Sequence, residues 1–192
     1  LTRMHAYIAQ LPKGLDSYPG FVAKGSVFRK VYEYSEQRLE GLPEPLQLAL
    51  DLPPSSTSWF PQCHALALII GMVEARMLPS EEESDWIREA ATHLFESPMY
   101  RILMWAATPR LVFKSAHLRW GAFFKGSTLK SHGAERQAEL HLTAPPNLFN
   151  DDLAEIFVHV ISAAVNYTKD EGGAELEFVE RVPTGLVYRG RW

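Results

Sequence analysis

The chain of 192 residues contains one cysteine. An intrachain disulfide is excluded, and so is a zinc module built on three or four thiolates. No apolar run approaches the ~18–20 residues of a membrane span, and the opening residues carry no apolar core of a secretion signal. G-x-G-x-x-G, G-x-S-x-G and H-E-x-x-H are all missing. Gly121 to Ser127 has the spacing of a phosphate loop. The lysine that should follow its second glycine instead precedes it as Lys125, and Phe123 and Phe124 fill the loop, so that reading fails.

Acid is missing locally. Between Glu96 and Glu135 there is no Asp or Glu, while Arg101, Arg110, Lys114, Arg119, Lys125 and Lys130 fall there with His117 and His132. Over residues 1–129 the charges balance at 13 basic and 13 acidic, whereas residues 130–192 hold 6 and 10, so the net charge of −4 comes from the last third. A general nucleic-acid binder is not expected at this balance. The basic stretch has two readings: a site for an anionic group or acidic partner, or a face that pairs internally with the acidic C-terminal third.

What is present fits one globular domain spanning 1–192, soluble and cytoplasmic, with length enough to bury roughly 70% of its unfolded surface. Aromatic and β-branched residues between Tyr18 and Tyr34, punctuated by Gly20 and Gly25, predict one or two short strands in the first forty residues. Pro43 and Pro45 start a short helix that Pro53-Pro54 stop, and Ser55 to Phe60 reads as a loop. An apolar helix follows from about Pro61 to Leu78. Ser80 with Glu83 has the form of a capping box for the next helix, which carries Trp86, Ile87, Ala90, Leu94 and Phe95 on one stripe. Ser97-Pro98 and Thr108-Pro109 pair a hydroxyl cap with a first-turn proline and predict helices over roughly 98–107 and 109–124.

The period then changes. Gln137 to Thr143 alternates as a half-buried strand with Ala138, Leu140 and Leu142 inward. Asn150 caps a helix whose stripe is Leu153, Ile156, Phe157, Val160, Ile161 and Ala164, with Gly172-Gly173 as its stop. Ala174–Arg181 and Leu186–Trp192 form a hairpin about Pro183-Thr184-Gly185. The fold class is therefore α+β: several amphipathic helices packed on a small antiparallel sheet, with a C-terminal strand-helix-strand-strand unit. Phe21-Val-Ala-Lys-Gly-Ser-Val-Phe28 and Phe123-Phe-Lys-Gly-Ser-Thr-Leu129 share a Lys-Gly-Ser core, a match too short to count as a repeat.

Candidate chemistry is sparse. Cys63 and His64 are adjacent on a helix, where neighbours point ~100° apart, so they do not form a thiolate–imidazole pair. His141 or His159 could ligate haem iron, although a structural histidine is the simpler reading of each. The acidic clusters 81–83, 151–152 and 170–171 sit at helix ends and suit dipole or solvation roles. The aromatics Trp105, Trp120, Phe123 and Phe124 lie beside the basic stretch and suit a core, a pocket or a subunit face.

Several segments together resemble a known family: Lys24-Gly-Ser-Val-Phe28, Trp59-Phe-Pro61, Ser97-Pro-Met-Tyr-Arg101, Arg119-Trp-Gly-Ala-Phe-Phe-Lys-Gly126, Ala144-Pro-Pro-Asn-Leu148 and Tyr188-Arg-Gly-Arg-Trp192. Over residues 20–192 the chain resembles the myxobacterial paralogous family of unknown function. That family is in turn distantly similar to the 4-vinyl-reductase and haem-nitric-oxide-associated ligand-binding fold shared with transport-particle subunits. The resemblance implies helices on one antiparallel sheet, a helix-mediated dimer, and a sensor or adaptor role rather than catalysis. Relatives of that fold that bind zinc use several cysteines, which this chain lacks.

The expectation is a non-enzymatic sensory or adaptor module for an apolar or weakly anionic small molecule, with no cofactor and no metal. Trp105, Trp120, Phe123 and Phe124 would line the pocket, and Arg110, Lys114 or His117 would hold an anionic head group. A homodimer or an acidic protein partner fits the same residues. The alternatives are a protein-interaction scaffold without a small ligand and an enzyme of unrecognised type.

Overall fold

Spacing rather than composition decides the first forty residues of the computed structural model, which describes residues 1–192 apart from 36–38, 105–107, 135 and 168–172. Thr2–Gln10 is helix α1, with Met4 and Tyr7 buried. Pro12–Leu15 and Val22–Lys24 are the short strands β1 and β2, and Gly25–Ser35 is helix α2. The expected pair of strands is thus accompanied by two helices. Val27, Phe28 and Val31 are β-formers by composition, yet they recur at helical spacing, and burial overrides their weak intrinsic preference.

Glu44–Asp51 is α3, begun by Pro43 and Pro45. Trp59–Pro61, which takes in the end of the expected loop and the expected first residue of the next helix, is instead strand β3. Gln62–Ala75, helix α4, is buried nearly all round and forms the centre of the molecule. Ser80–Glu96 is α5, but its capping box does not form: Pro79 is the N-cap, and Glu83 turns to Arg3, whose Nη1 it meets at 3.0 Å. Pro98–Met104 is α6, and Ser97 donates its hydroxyl back to the Leu94 carbonyl.

The single helix expected over 109–124 is two, α7 (Pro109–Lys114) and α8 (Ala116–Phe123). At the break, the Ser115 hydroxyl bonds back to the Leu111 carbonyl at 2.6 Å and accepts from Arg119 Nε at 2.9 Å. Thr108 caps α7 by accepting from the Leu111 N–H, as its motif predicts.

Phe124–Lys125 (β4), Thr128–Ala134 (β5) and Gln137–Thr143 (β6) follow, then helix α9 (Asp151–Asn166) and strands β7 (Glu175–Val182) and β8 (Gly185–Arg191). Strand β5 has no counterpart in the sequence reading. Asn150 caps α9 by accepting from the Leu153 N–H at 3.0 Å. The helix ends at Asn166, before the double glycine, of which Gly172 lies outside the described residues.

The fold is α+β, and among the described residues it has two antiparallel sheets rather than one, ordered β3-β2-β4 and β5-β6-β8-β7. Ala138, Leu140 and Leu142 point into the core from β6, opposite α9. The two Lys-Gly-Ser segments lie side by side, because β2 pairs with β4 through Val22↔Lys125 and Ala23↔Phe124. Lys24 and Lys125 each place an ammonium 4.2 Å from the ring centre of Trp59 on the neighbouring strand β3.

Part of the acidic C-terminal third is paired from within. Arg189 spans Glu139 and Glu177 on the outer sheet face, Arg181 holds Asp151, and Arg3 reaches Asp152. Among the described residues Arg101, Arg110, Lys114, Lys125 and Lys130 form no ion pair. No helix among the described residues is long and apolar enough to cross a membrane.

Candidate functional site

Four alanines on three helices leave room inside the core. Ala90 and Ala91 on α5, Ala116 on α8 and Ala164 on α9 face a common cavity of about 120 Å³. Each is a small residue among large ones. Val27 and Val31 of α2, Ile69 and Val73 of α4, and Leu140 of β6 are also in the wall.

Trp120, Phe123 and Phe124 line this space. The Trp120 indole is fixed at its polar end, where Nε1 donates to Ser127 Oγ at 3.0 Å, and its ring packs against Phe124 at 4.5 Å and Phe157 at 5.6 Å. Phe123 is stacked on Tyr100 at 4.4 Å, and Tyr100 is itself anchored to the buried Ser26 hydroxyl. Such pinned rings make a rigid wall.

Among the described lining residues, Arg119 is the one charged group. It is half-buried, and burial pushes its guanidinium below the ordinary arginine value. Its long stem lies along apolar surface while its Nε is held by Ser115.

Arg110, Lys114 and His117 are exposed on the outer sides of α7 and α8, and none of them lines the cavity. Trp105 lies outside the described residues. The structure therefore brings Trp120, Phe123 and Phe124 together and sets the three basic residues on the opposite side of the same helices. Arg119 was not among the expected site residues. A signal for it exists: it stands three residues after Ala116 and four before Phe123, beside the apolar stripe of α8. The four alanines carry no comparable signal, since small size at one position says nothing of what lies across from it.

The histidines and the cysteine stand apart from the cavity. His141 lies on the outer sheet face, 3.5 Å from Glu139 and ring to ring with His132 at 5.0 Å. His159 sits between α9 and α5 with Nε2 3.1 Å from Ser84 Oγ, and burial, then Arg88, hold its imidazole below the ordinary value. Cys63 is buried and donates to the Ser17 carbonyl, and burial pushes its thiol up to about 11. It therefore stays protonated at neutral pH and is not an activated nucleophile. No group of three His, Cys, Asp or Glu among the described residues could hold a metal ion.

No protein-family model matches the chain, and no curated protein matches it. Solved structures do. The unliganded Fe(II) H-NOX protein from K. algicida superposes with a TM-score of 0.55 at 11% identity, over 88% of this chain and 95% of that one. A Cs H-NOX mutant carrying 4-cyano-L-phenylalanine gives 0.53 at 13% identity over 88% and 95%. An oxygen-binding H-NOX domain related to soluble guanylate cyclases gives 0.51 at 13% identity over 87% and 91%. At this identity the likeness is one of fold. It extends across almost the whole of each domain, and it meets the expected ligand-binding fold at that level.

Proposed function

We propose that this domain is a non-enzymatic sensory module that takes up a small apolar or weakly anionic molecule between α5, α8 and α9. One observation carries the reading: a cavity of about 120 Å³ whose wall is almost wholly apolar, Arg119 contributing its aliphatic stem. The volume is close to the ~150 Å³ of a dry apolar cavity that admits benzene, and well below the ~300–1,000 Å³ of pockets for larger ligands. The H-NOX likeness supports a sensory role for this fold.

Haem is the group that likeness brings to mind, since one structure of this fold concerns haem distortion in the H-NOX family. Haem iron is held by an axial His, Cys, Met or Tyr. None of the described lining residues is any of these. His141 and His159, the two histidines considered for iron, are engaged on the outer sheet face and at the α5–α9 seam. The described cavity wall does not fit haem, and the proposed occupant is a small molecule without iron.

The test is native mass spectrometry of freshly purified protein with an absorbance scan, followed by NMR titration with benzene and with benzoate. A co-purified small mass, or saturable shifts centred on the Trp120 indole and the methyls of Val73, Ile87 and Ile156, supports the reading. A Soret band, or neither mass nor shifts with either probe, rejects it.

A further inference from the structure

Helices α7 and α8 have two unlike sides. Val112, Phe113, Ala116 and Trp120 are buried and wall the cavity. On the other side Arg110, Lys114 and His117 are exposed, and with them stand Leu111, 45% exposed, and Leu118, 65% exposed. Across the break at Ser115 the two helices stay joined: the Ser115 N–H bonds to the Leu111 carbonyl, and the Leu118 and Arg119 N–H groups bond to the Ser115 carbonyl. Arg110, Lys114 and His117 form no ion pair among the described residues, and no acid occurs in the chain between Glu96 and Glu135.

We infer that this outer side of α7–α8 is a docking face for an acidic amphipathic helix of a partner protein. Carboxylates of the partner would meet Arg110 and Lys114, and an apolar side chain would seat against Leu111 and Leu118. Charge complementarity selects this occupant over two others. The positive charge is a narrow strip on a domain of net charge −4, which suits a helix ridge better than an anionic membrane plane. A symmetric dimer through this face would oppose Arg110 and Lys114 to the same residues of the second copy, and like charges across an interface are repulsive. Exposed leucines beside unpaired cations combine an apolar anchor with a polar rim.

Docking does not depend on the cavity. Its coupling to the cavity rests on the sensory reading, because the same two helices carry both sides.

The test is fluorescence anisotropy with a synthetic helical peptide bearing Glu and Leu at three- and four-residue spacing. Saturable binding is expected, weakened by salt and weakened about tenfold or more by Arg110→Glu with Lys114→Glu. Leu118→Ser should also weaken it, while Lys130→Glu, a single charge reversal at an exposed position of β5, should leave it unchanged. No binding, equal binding by the double reversal, or stronger association with vesicles of phosphatidylglycerol and phosphatidylcholine than with the peptide would each overturn the inference. The same titration on Ala164→Leu, whose cavity is filled, separates the two proposals: retained peptide binding supports the docking face whatever becomes of the cavity.

Discussion

The ring of Phe113 lies where a side chain at position 190 would have to go: a β-carbon placed on Gly190 would sit 2.2 Å from Phe113 Cζ. On the same strand end, Trp192 stacks on Phe113 at 4.7 Å with the planes 19° apart. Phe113 is thereby held between the last strand and the terminal indole while also forming part of the cavity wall.

Gly190→Ala should therefore be felt in the cavity. The added methyl must displace the ring, and overpacking of this kind costs about 1–3 kcal/mol. Urea unfolding should show the loss of stability, and benzene uptake should fall with it. A variant with wild-type stability and uptake would show that Phe113 moves freely, against the packing described.

Filling the cavity should separate stability from binding. Ala164→Leu places methyl groups in existing space, so its stability should stay level or rise by about 0.5–2 kcal/mol while probe binding disappears. Leu94→Ala enlarges the same space and should cost about 2–5 kcal/mol. Calorimetric melting with and without benzene reads both effects, and undiminished uptake by Ala164→Leu would place the binding site elsewhere.

Arg119→Met distinguishes the two ligand classes. Met keeps the apolar stem and removes the charge. If the natural occupant is weakly anionic, affinity for benzoate should drop about tenfold while affinity for benzene holds. Equal affinities for both probes in both proteins would assign the cavity to neutral molecules.

Acid should weaken the fold in a first step near neutrality. His64 and His159 are both held below the ordinary imidazole value, in each case chiefly by burial. Asp16 opposes the shift at His64. Arg88 adds to it at His159, against Glu83 and Asp85. A group whose folded pKa is depressed binds protons first in the unfolded chain, so stability is full above about pH 6.5 and is lost as pH falls toward the folded values. Melting temperature measured from about pH 8 to about pH 5 should decline, and His159→Gln should flatten part of the slope. An unchanged slope in that variant would exclude His159 as a contributor.

Much of the C-terminal half is legible in the sequence because its signals are local. Thr108 and Asn150 each cap a helix through an N–H three residues on, a bond the spacing alone specifies. The alternation of Gln137–Thr143 gives the strand and its inward face residue for residue. The N-terminal third misleads because composition and spacing disagree there, and spacing wins once Val27, Phe28 and Val31 have a core to enter. Ser80 and Glu83 have the form of a capping box, yet Glu83 is drawn away by Arg3, which lies distant in the chain. The site is half legible. The rings of Trp120, Phe123 and Phe124 are conspicuous, but their cavity exists through alanines on three separate helices. Arg110, Lys114 and His117 are conspicuous for the charge they share, and charge prefers the side of a helix that faces water.

The β2–β4 ladder has a consequence for the order of folding. It consists of two residue pairs and closes the chain from Ala23 to Phe124, whereas β5–β6 and β7–β8 join strands that follow directly in sequence. Loop closure over such a span must precede any reward from so short a ladder. The hairpins of the larger sheet should therefore gain amide protection early in refolding, and the β2–β4 ladder last, an order that pulsed hydrogen exchange can read. By this account the strip that carries Lys24, Trp59 and Lys125 reports the completed fold: its two ammonium groups gather on one indole only after distant parts of the chain have met.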